Sequence, residues 1–583
     1  MLTRWLTDLA GGVRTAAGES VLLGWLFPGE RSASAPGTGS YAHLHFRMMR
    51  LQEESLWRRT LMRLWEWLLH TSVGAFGRFQ LMGAAVSLAL YFADGGNDFL
   101  SVRVLLSAAY LLSSLPLLGV PDALSLCLRQ GRLTGGFLVG FCGLSPERLG
   151  DRERGRERRF FPLFAGAVCG VLAAFLPAGA LSLAGLFLTV FFLFHAVPEL
   201  SVLGVLLAFP FLPLLPHATL ALAGMTLLSF AVYAGKWLSG RRDLPMGRLG
   251  WTVVAFAGVY LLAGGAEGAV CALLILGGWF PVRSLGEVWR RRAVGCLTAS
   301  ASLCAGLGIF EYFSGRAALK WVDLSRFSDI GGRVCDFFGN PNILAVFLLA
   351  AFPFALYGTM RFRSPAGRTG AGIGALLIAL CTLLTWSRGG WLGMLAETFL
   401  FLAVSGRESL ALLFTLPLPA AALTAFLPHS VTNRFSSIGN LAESSVRYRL
   451  EVWRGVARMI GENPFGIGVG EAQFRRVYRL FAIPGTETVM HAHEIFLQVA
   501  SETGLAGAAV FLLLLVRILR SFRPRGEAIA AFPAVLGLLV MGCFDHLWYA
   551  RGMLWLLFAV SALVPTGKSG KTEDVYAETA EYT

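Results

Sequence analysis

The stretch HAHEIFLQVASETGLAGAAVFLLLL (residues 491–515) passes from two histidines and a glutamate into an apolar run long enough for a membrane helix. Similar apolar runs of about 20 residues recur along most of the chain, separated by short Arg-rich loops. The 583 residues are 55% hydrophobic and 15% charged, whereas a soluble globular chain carries about 25% charge. The sequence therefore predicts an all-α, polytopic integral membrane protein with about 12–16 transmembrane helices.

The basic residues that give the chain its net charge of +14 concentrate in the loops between apolar runs. Cytoplasmic loops of membrane proteins carry such an excess of Lys and Arg, so the charge indicates topology rather than nucleic-acid binding. With the N-terminus in the cytoplasm, the basic loops face inward and the polar segment 428–492 faces outward. The basic loops are RLGDRERGRERR (148–159), KWLSGRRDLPMGR (236–248), RSLGEVWRRR (283–292), MRFRSPAGR (360–368) and RSFRPRG (520–526).

The pattern divides the chain into four segments. Residues 1–77 are a cytoplasmic or interfacial segment and 78–312 an N-terminal transmembrane bundle. Residues 313–565 are the membrane domain that contains the candidate catalytic residues, with an extracytoplasmic loop at 428–492, and 566–583 are a cytoplasmic tail. The first 30 residues do not show the pattern of a cleavable signal peptide. The nine cysteines are scattered without metal-ligand spacing, which favours neither a metal site nor a disulfide framework.

Two arginines on the predicted outer side are candidates for binding an anionic, lipid-linked substrate. Arg388 lies in TWSRGGWLG, between two spans, where the positive-inside rule disfavours Arg. A guanidinium forks onto phosphate oxygens, although an arginine at a span end can also extend to the lipid headgroups. Arg449 begins RLEVWRGVARMI, which also contains Arg454 and predicts an amphipathic helix on the membrane surface that breaks at Asn463–Pro464.

Glycines and histidines complete the polar segment. GIGVG (466–470) predicts a tight loop whose backbone amides form an anion-binding nest, and it is not a Rossmann fingerprint because no βαβ unit surrounds it. His491 and His493 flank the start of the next span, and their spacing on opposite sides of a helix start is poor for chelating a metal. Beside outward-facing arginines, a neutral imidazole can act as a general base, and the alternative is a polar interface residue.

Four motifs in this order resemble the O-antigen ligase/O-antigen polymerase superfamily of bacterial membrane glycosyltransferases, and together they cover about residues 335–520. The motifs are FFGNPNILAVFLLAAFPFALYG (337–358), TWSRGGWLGMLAE (385–397), SSVRYRLEVWRGVARMIGENPFGIGVGEAQF (444–474) and HAHEIFLQVASETGLAGAAVFLLLL (491–515).

The resemblance implies a metal-independent, inverting glycosyltransferase of the membrane GT-C type, without a cofactor, in the bacterial cytoplasmic (inner) membrane. Such enzymes take a glycan from an undecaprenyl diphosphate carrier on the outer face and act in lipopolysaccharide or other cell-surface polysaccharide biosynthesis. Carried over, it implies that Arg388 and Arg449 bind the donor diphosphate and that His493, which starts an H-x10-G pattern ending at Gly504, lies near the attacking hydroxyl. Further donor-binding candidates are Asn340, Asn342, His491 and Arg454.

Glu494 departs from the family pattern, in which Asn, Ser or Gln usually follows this histidine. An adjacent carboxylate would raise the imidazole pKa or act as base itself, so both His493 and Glu494 are candidate catalytic bases. The acceptor can be a lipid-anchored saccharide, another lipid-linked glycan or a protein hydroxyl, corresponding to a ligase, a polymerase or a protein O-oligosaccharyltransferase. Alternative functions are a bicarbonate-type transporter and a non-catalytic scaffold or flippase partner.

Overall fold

A computed structural model describes residues 56–144, 146–150, 153–156, 160–177, 179–238, 244–319, 332–415, 432 and 444–564. Residues 1–55 of the predicted N-terminal segment and the whole tail 566–583 lie outside the described residues. The same holds for most of 428–443, at the start of the predicted outer loop. The described part of the chain folds into helices without β-strands, and its few β-bridges are isolated.

The long helices confirm a polytopic α-helical membrane protein. Seven described helices are long and apolar enough to cross a membrane, or up to eight if the bent pair Phe160–Phe175 and Ala180–Ala196 counts as one span. Five further apolar helices have 10–17 residues. The total of about 12–16 spans stays a prediction, because the shorter helices do not meet the length of a full crossing.

Contacts divide the chain into two compact units, and the first contains residues 1–187 and 234–242. Within it, α2 and α7 pack closely, because small residues let the two backbones approach. A Cβ added at Gly166 of α7 would lie 2.4 Å from the carbonyl oxygen of Phe79 in α2. The helices are α1 (Leu56–Leu69), α2 (Val73–Ala93), α3 (Val102–Ser114), α4 (Leu124–Gln130), α5 (Arg132–Gly135), α6 (Pro146–Leu149), α7 (Phe160–Phe175) and the start of α8 (Ala180–Ala196).

The second unit contains residues 188–233 and 243–583, and it holds all the candidate site residues. The predicted boundary at 312/313 falls inside this unit, and the four predicted segments remain predictions. Its helices after α8 are α9 (Glu199–Ala208), α10 (Ala218–Leu238, which continues into the first unit), α11 (Arg248–Ala263), α12 (Gly265–Arg283), α13 (Glu287–Phe313), α14 (Pro341–Arg361), α15 (Pro365–Leu384), α16 (Arg388–Ser405), α17 (Arg407–Thr415), α18 (Ser444–Glu462), α19 (Glu471–Tyr478), α20 (Ile495–Ser521), α21 (Ala528–Gly542) and α22 (Gly552–Ser561).

Helix α14 forms the centre of the second unit. It contacts α13, α15, α16, α21 and α22, and 83% of the residues in its most apolar 18-residue stretch are buried. Leu344, Phe347 and Phe354 are completely buried on it. Pro341 at its first position and the Asn340 side chain, which accepts from the amide of Asn342, fix where the helix starts. The GNPN motif is therefore held at the end of the most buried of the seven long apolar helices.

Helix α20 is interrupted at Gly504, whose backbone (φ 76°, ψ 179°) is not helical. Because of this interruption, backbone groups of α20 form hydrogen bonds with the turn 463–470. The amide of Ile467 donates to the carbonyl of Ser501, and the amide of Leu505 donates to the carbonyl of Pro464. A Cβ at Gly504 would lie 2.5 Å from the carbonyl carbon of Phe465, so only glycine allows this approach.

Helix α18 confirms the predicted helix and its end before Asn463–Pro464. The prediction that it lies on the membrane surface is wrong about what covers its apolar face. Val452, Val456 and Met459 are completely buried in a protein core with residues of α19 and of the chain leading into α20. The apolar stripe of α18 thus joins the polar segment before α20 to the helical bundle.

Candidate functional site

The candidate residues lie where loops meet helix N-termini. Ser387 caps α16 by accepting from the amide of Gly390, which places Arg388 at the first helical position. Glu494 caps α20, and its two carboxylate oxygens accept from the amides of Phe496 and Leu497. His491 and His493 therefore precede the helix rather than lying on it.

The two histidines face each other, contrary to the prediction that they point to opposite sides. Their ring centroids are 4.1 Å apart, because His493 adopts a left-handed backbone conformation with φ 53° that turns the chain. Trp386, directly before Ser387, has the same φ of 53°. Such conformations are unfavourable for residues other than glycine and occur often at functional sites. Both strained residues lie within motifs that the sequence singled out.

Asp545, in the loop between α21 and α22, is the carboxylate partner of His493. Its Oδ1 lies 3.4 Å from His493 Nδ1, and its Oδ2 accepts from Asn342 Nδ2 at 2.7 Å. The backbone amide of His546 also donates to Oδ1 at 2.9 Å. The sequence predicted that Glu494 is the carboxylate beside His493. In the structure Asp545 takes that position, and the oxygens of Glu494 accept from the amides of its own helix.

Arg333 connects two of the motifs to this pair. Its Nη2 donates to Asn342 Oδ1 at 3.0 Å and its Nε donates to the carbonyl of Thr385 at 2.8 Å. Arg333, Asn342, Asp545 and His493 thus form a continuous chain of polar contacts. Asn342 orients Asp545, whereas the sequence assigned it to donor binding.

A small cavity of about 20 Å³ opens beside the cluster. Met541 forms part of its wall, and the backbone next to Arg388 packs there: a Cβ at Gly389 would lie 3.5 Å from Met541 Cγ. The remaining lining residues are Asn340, Asn342, Ile343, Val346, His491, Asp545, His546 and Tyr549. The cavity lies at the N-terminal end of α14, so α14, α20 and α21 all contribute to it or end beside it.

Arg449 and Arg454 occupy opposite faces of α18. By helical spacing, Arg449 lies on the same face as the buried Val452 and Val456, whereas Arg454 is exposed on the other side. The charge of Arg449 acts on both His491 and Asp545. The structure brings Arg449, but not Arg454, to the histidine cluster.

Burial and neighbouring charges set the protonation states of the cluster. Burial, together with the neighbouring His493, lowers the pKa of His491 to about 3, and burial lowers the pKa of His546 well below its usual value. Burial alone would raise the pKa of Asp545. The hydrogen bond and charge of His493, with His491 and Arg449, outweigh burial and hold that pKa below its usual range. His491 and His546 are therefore neutral and Asp545 is ionised near pH 7.

Burial raises the pKa of Glu494, opposed by the hydrogen bonds from the amides at the start of α20. These bonds use the carboxylate as a helix cap.

The backbone amides of the predicted nest at GIGVG already have partners within the protein. The amides of Ile467 and Gly468 donate to the carbonyls of Ser501 and Glu502, and the amide of Gly470 bonds the Glu502 side chain. The tight loop is confirmed by positive φ at its three glycines, but these amides are not free for a substrate.

Ligand atoms of His491, His493 and Asp545 lie within 4.8 Å of one another, close enough for a metal ion to be held by all three. The prediction that the histidine spacing is poor for chelation is therefore wrong, because the turn at His493 brings the rings together.

Four residues of the site were not predicted from the sequence, namely Asp545, His546, Arg333 and Tyr549. The signal for Asp545, His546 and Tyr549 was the polar interruption FDHLWYARG (544–552) between two apolar runs, which the predicted spans absorbed.

The fold and these side chains define a multi-pass α-helical membrane protein with a polar His/Asp/Arg site at the ends of its helices. Residues 373–512 match a family model described as O-antigen ligase, and the match supports membership of this segment in the O-antigen ligase superfamily. Comparison with curated proteins finds no significant match. The family match supports a membrane ligase or polymerase of the glycosyltransferase type. It contains Arg388, Arg449 and both histidines, whereas Asn342 and Asp545 lie outside it.

Proposed function

We propose that the protein transfers a glycan from undecaprenyl diphosphate to an acceptor hydroxyl on the outer face of the bacterial cytoplasmic membrane. The observation that carries this proposal is the meeting of His493, Asp545 and Arg449 beside a cavity, in and next to an O-antigen ligase domain. Gly389, the neighbour of Arg388, packs against Met541, which lines the same cavity. Cationic side chains beside a His–Asp pair suit a reaction with an anionic leaving group and a hydroxyl nucleophile.

In the proposed reaction, His493 removes the proton from the acceptor hydroxyl through Nε2 while Nδ1 faces Asp545. The acceptor oxygen then forms a bond to the anomeric carbon from the side opposite the diphosphate, with inversion. The bond between that carbon and the diphosphate oxygen breaks, and the diphosphate keeps the electron pair. Arg388 and Arg449 neutralise the charge that develops on it.

The proposed mechanism places no metal on the reaction path, since the arginines supply the positive charge. The His491–His493–Asp545 cluster nevertheless makes a metal-dependent reaction the direct competitor. Purified protein treated with EDTA and then dialysed should keep its wild-type rate. A loss of activity that is restored by Zn²⁺ or Mn²⁺ would instead assign the cluster to metal binding and overturn metal independence.

Complementation of a knockout strain tests the function. Arg449→Ala and His493→Ala should abolish glycan transfer in the cell, while Arg447→Ala should support it. Arg447 is the matched control because it is exposed on the same helix and pairs with Glu451. All three proteins must accumulate equally in membranes. Active Arg449→Ala and His493→Ala strains would contradict the proposal.

The glycan products separate the remaining candidates. Accumulation of full-length carrier-linked glycan in the knockout indicates a ligase, whereas single units attached without long chains indicate a polymerase. Loss of glycan from protein alone indicates a protein O-oligosaccharyltransferase. Unchanged glycans with altered inorganic carbon uptake would favour the bicarbonate-type transporter.

A further inference from the structure

A chain of buried polar side chains runs from the histidine loop into the apolar interior of α20, where the proposed reaction has no use for charge. Gln498 and Glu502 lie one turn apart on α20 and are 2% and 1% exposed. Ionisable groups inside an apolar helix are unfavourable unless they are paired, and they commonly mark functional positions. Their partners show what this pair holds in place.

Gln498 connects the histidine loop to Glu502. Its Oε1 accepts from the backbone amide of Ala492 at 2.7 Å, and its Nε2 donates to Glu502 Oε1 at 3.1 Å. Ala492 is the residue between His491 and His493, and it is completely buried. The carboxamide of Gln498 therefore fixes the backbone from which both imidazoles extend.

Glu502 connects Gln498 to the loop of Asp545. Arg551 Nη2 lies 3.8 Å from Glu502 Oε1, and the Tyr260 hydroxyl donates to Glu502 Oε2 at 3.4 Å. Arg551 ends the same loop, between α21 and α22, that carries Asp545. The network thus ties together the two separate loops that supply the two members of the His493–Asp545 pair.

The pair needs such support because its own contact is long. A distance of 3.4 Å between His493 Nδ1 and Asp545 Oδ1 is beyond the usual range for a nitrogen–oxygen hydrogen bond, so a small displacement of either loop would separate them. Displacements of about 1 Å can reduce turnover by about a hundredfold when they misplace a reacting group.

We propose that Gln498 and Glu502 are positioning residues that hold the His493 loop against Asp545. The inference rests on the proposed function of His493 as the base. Neither side chain lies in the cavity lining, so they act through the histidine loop and not on the substrate. Their loss should lower kcat and leave the KM for the lipid-linked donor nearly unchanged.

The experiment compares four variants of the full-length protein in lipid nanodiscs. Gln498→Glu sets a carboxylate against Glu502, and Glu502→Gln removes the partner charge of Arg551. The double variant Gln498→Glu/Glu502→Gln reverses the direction of the bond. The amide introduced at position 502 can donate to the carboxylate introduced at position 498, which still accepts from Ala492. Ser501→Ala is the control, because the Ser501 hydroxyl bonds only the carbonyl of Gln498 in its own helix.

The readout is the release of undecaprenyl diphosphate from carrier-linked glycan isolated from the native strain, with native membranes as acceptor. Each single variant should lose about tenfold to a hundredfold in kcat with KM within about threefold, as for other supporting groups around a reactive side chain. The double variant should recover most of the loss, and Ser501→Ala should match the wild type.

Single variants that match Ser501→Ala in kcat would overturn the inference, as would a double variant no better than the worse single. If a single variant does not accumulate, Gln498→Ala, which introduces no charge, takes its place with the same expected loss of kcat. A wild-type protein that releases no undecaprenyl diphosphate would contradict the proposed function itself, so the two failures are distinguishable.

Discussion

At the scale of the residue, several side chains of the site hold other side chains in place. Asn342 donates to Asp545 and accepts from Arg333, which leaves the carboxylate of Asp545 oriented toward His493. Glu494 uses both of its oxygens to cap α20. These contacts separate the group proposed to react from the groups that position it.

Asp545→Asn should lower glycan transfer by about 10²–10⁴-fold, the range typical of general acid–base catalysis, because His493 loses its ionised partner while the side-chain shape is kept. Transfer rates in membranes with equal amounts of protein measure the effect. Glu487→Gln is the control, since Glu487 is exposed in the loop before the histidines and bonds the amide of Gly485. An Asp545→Asn protein with the wild-type rate would show that His493 works without this carboxylate.

Glu494→Gln should retain most of the activity, because an amide oxygen can still accept at the N-cap. Glu494→Ala should destabilise the protein by about 1 kcal/mol through loss of the cap, with a smaller effect on the rate than His493→Ala. Thermal unfolding and glycan transfer are measured on the same samples. Abolished transfer in a stable Glu494→Gln protein would make Glu494 the base.

At the scale of the element, the interruption of α20 attaches the polar segment that precedes it to the bundle. The turn 463–470 bonds the backbone that Gly504 leaves open, and the Gly468 amide donates to the carbonyl of Glu502. The apolar face of α18 packs against the same region through Val456 and Met459. Helix α18, which carries Arg449, is therefore fixed at one end by hydrogen bonds and along one face by apolar contacts.

Gly504→Ala should destabilise the protein and reduce glycan transfer. The added Cβ would lie 2.6 Å from the carbonyl oxygen of Pro464, at a φ of 76° that alanine adopts poorly. Gly461→Ala is the matched control, because nothing lies within 4 Å of a Cβ there and alanine favours the helix. Unfolding temperature and membrane yield are compared. Equal values for the two variants would contradict the docking of the turn on α20.

At the scale of the whole molecule, the site lies within one compact unit whose centre is α14. Long-range contacts bring together Arg333, Asn342, Arg449, His493 and Asp545, which span more than 200 residues of sequence. Assembly of the site therefore requires the folded unit. The half-buried His491 and the buried His546 also make the stability of the unit depend on pH.

The stability of the protein should fall as the pH decreases from about 6.5 toward 3. The pKa of His491 is 6.5 in the unfolded chain and about 3 when folded, so between these values the unfolded state binds more protons and acid favours it. The depressed pKa of Asp545 adds a loss as the pH falls below its usual value of 3.8. Unfolding temperatures in detergent at pH 7 and pH 4.5 measure the slope.

The variant His491→Asn should show a smaller loss of stability between these two pH values than the wild type. His217→Asn is the control, because His217 is exposed and asparagine tolerates its left-handed backbone. An unchanged slope for His491→Asn would show that His491 is not buried in its neutral form.

The sequence was informative wherever local chemistry decides the structure. Apolar runs predicted the long helices, and Asn463–Pro464 predicted the end of α18. The partners of the histidines depend on contacts distant in sequence. Asp545 follows His493 by 52 positions. Because apolar runs flank Asp545 on both sides, the sequence pattern places it in a predicted span. The role of Glu494 depends on the backbone at the start of α20, because its amides bond both oxygens of the carboxylate.

The attachment of the turn 463–470 to α20 has a consequence for how the sequence of this protein can change over evolution. Main-chain atoms make the hydrogen bonds between the turn and α20. Side chains that point away from this contact can therefore diverge without loss of the attachment. Phe465 is 94% exposed there, whereas Gly504 leaves no room for any other residue. Among natural variants, substitutions should accumulate at position 465 and be absent at position 504.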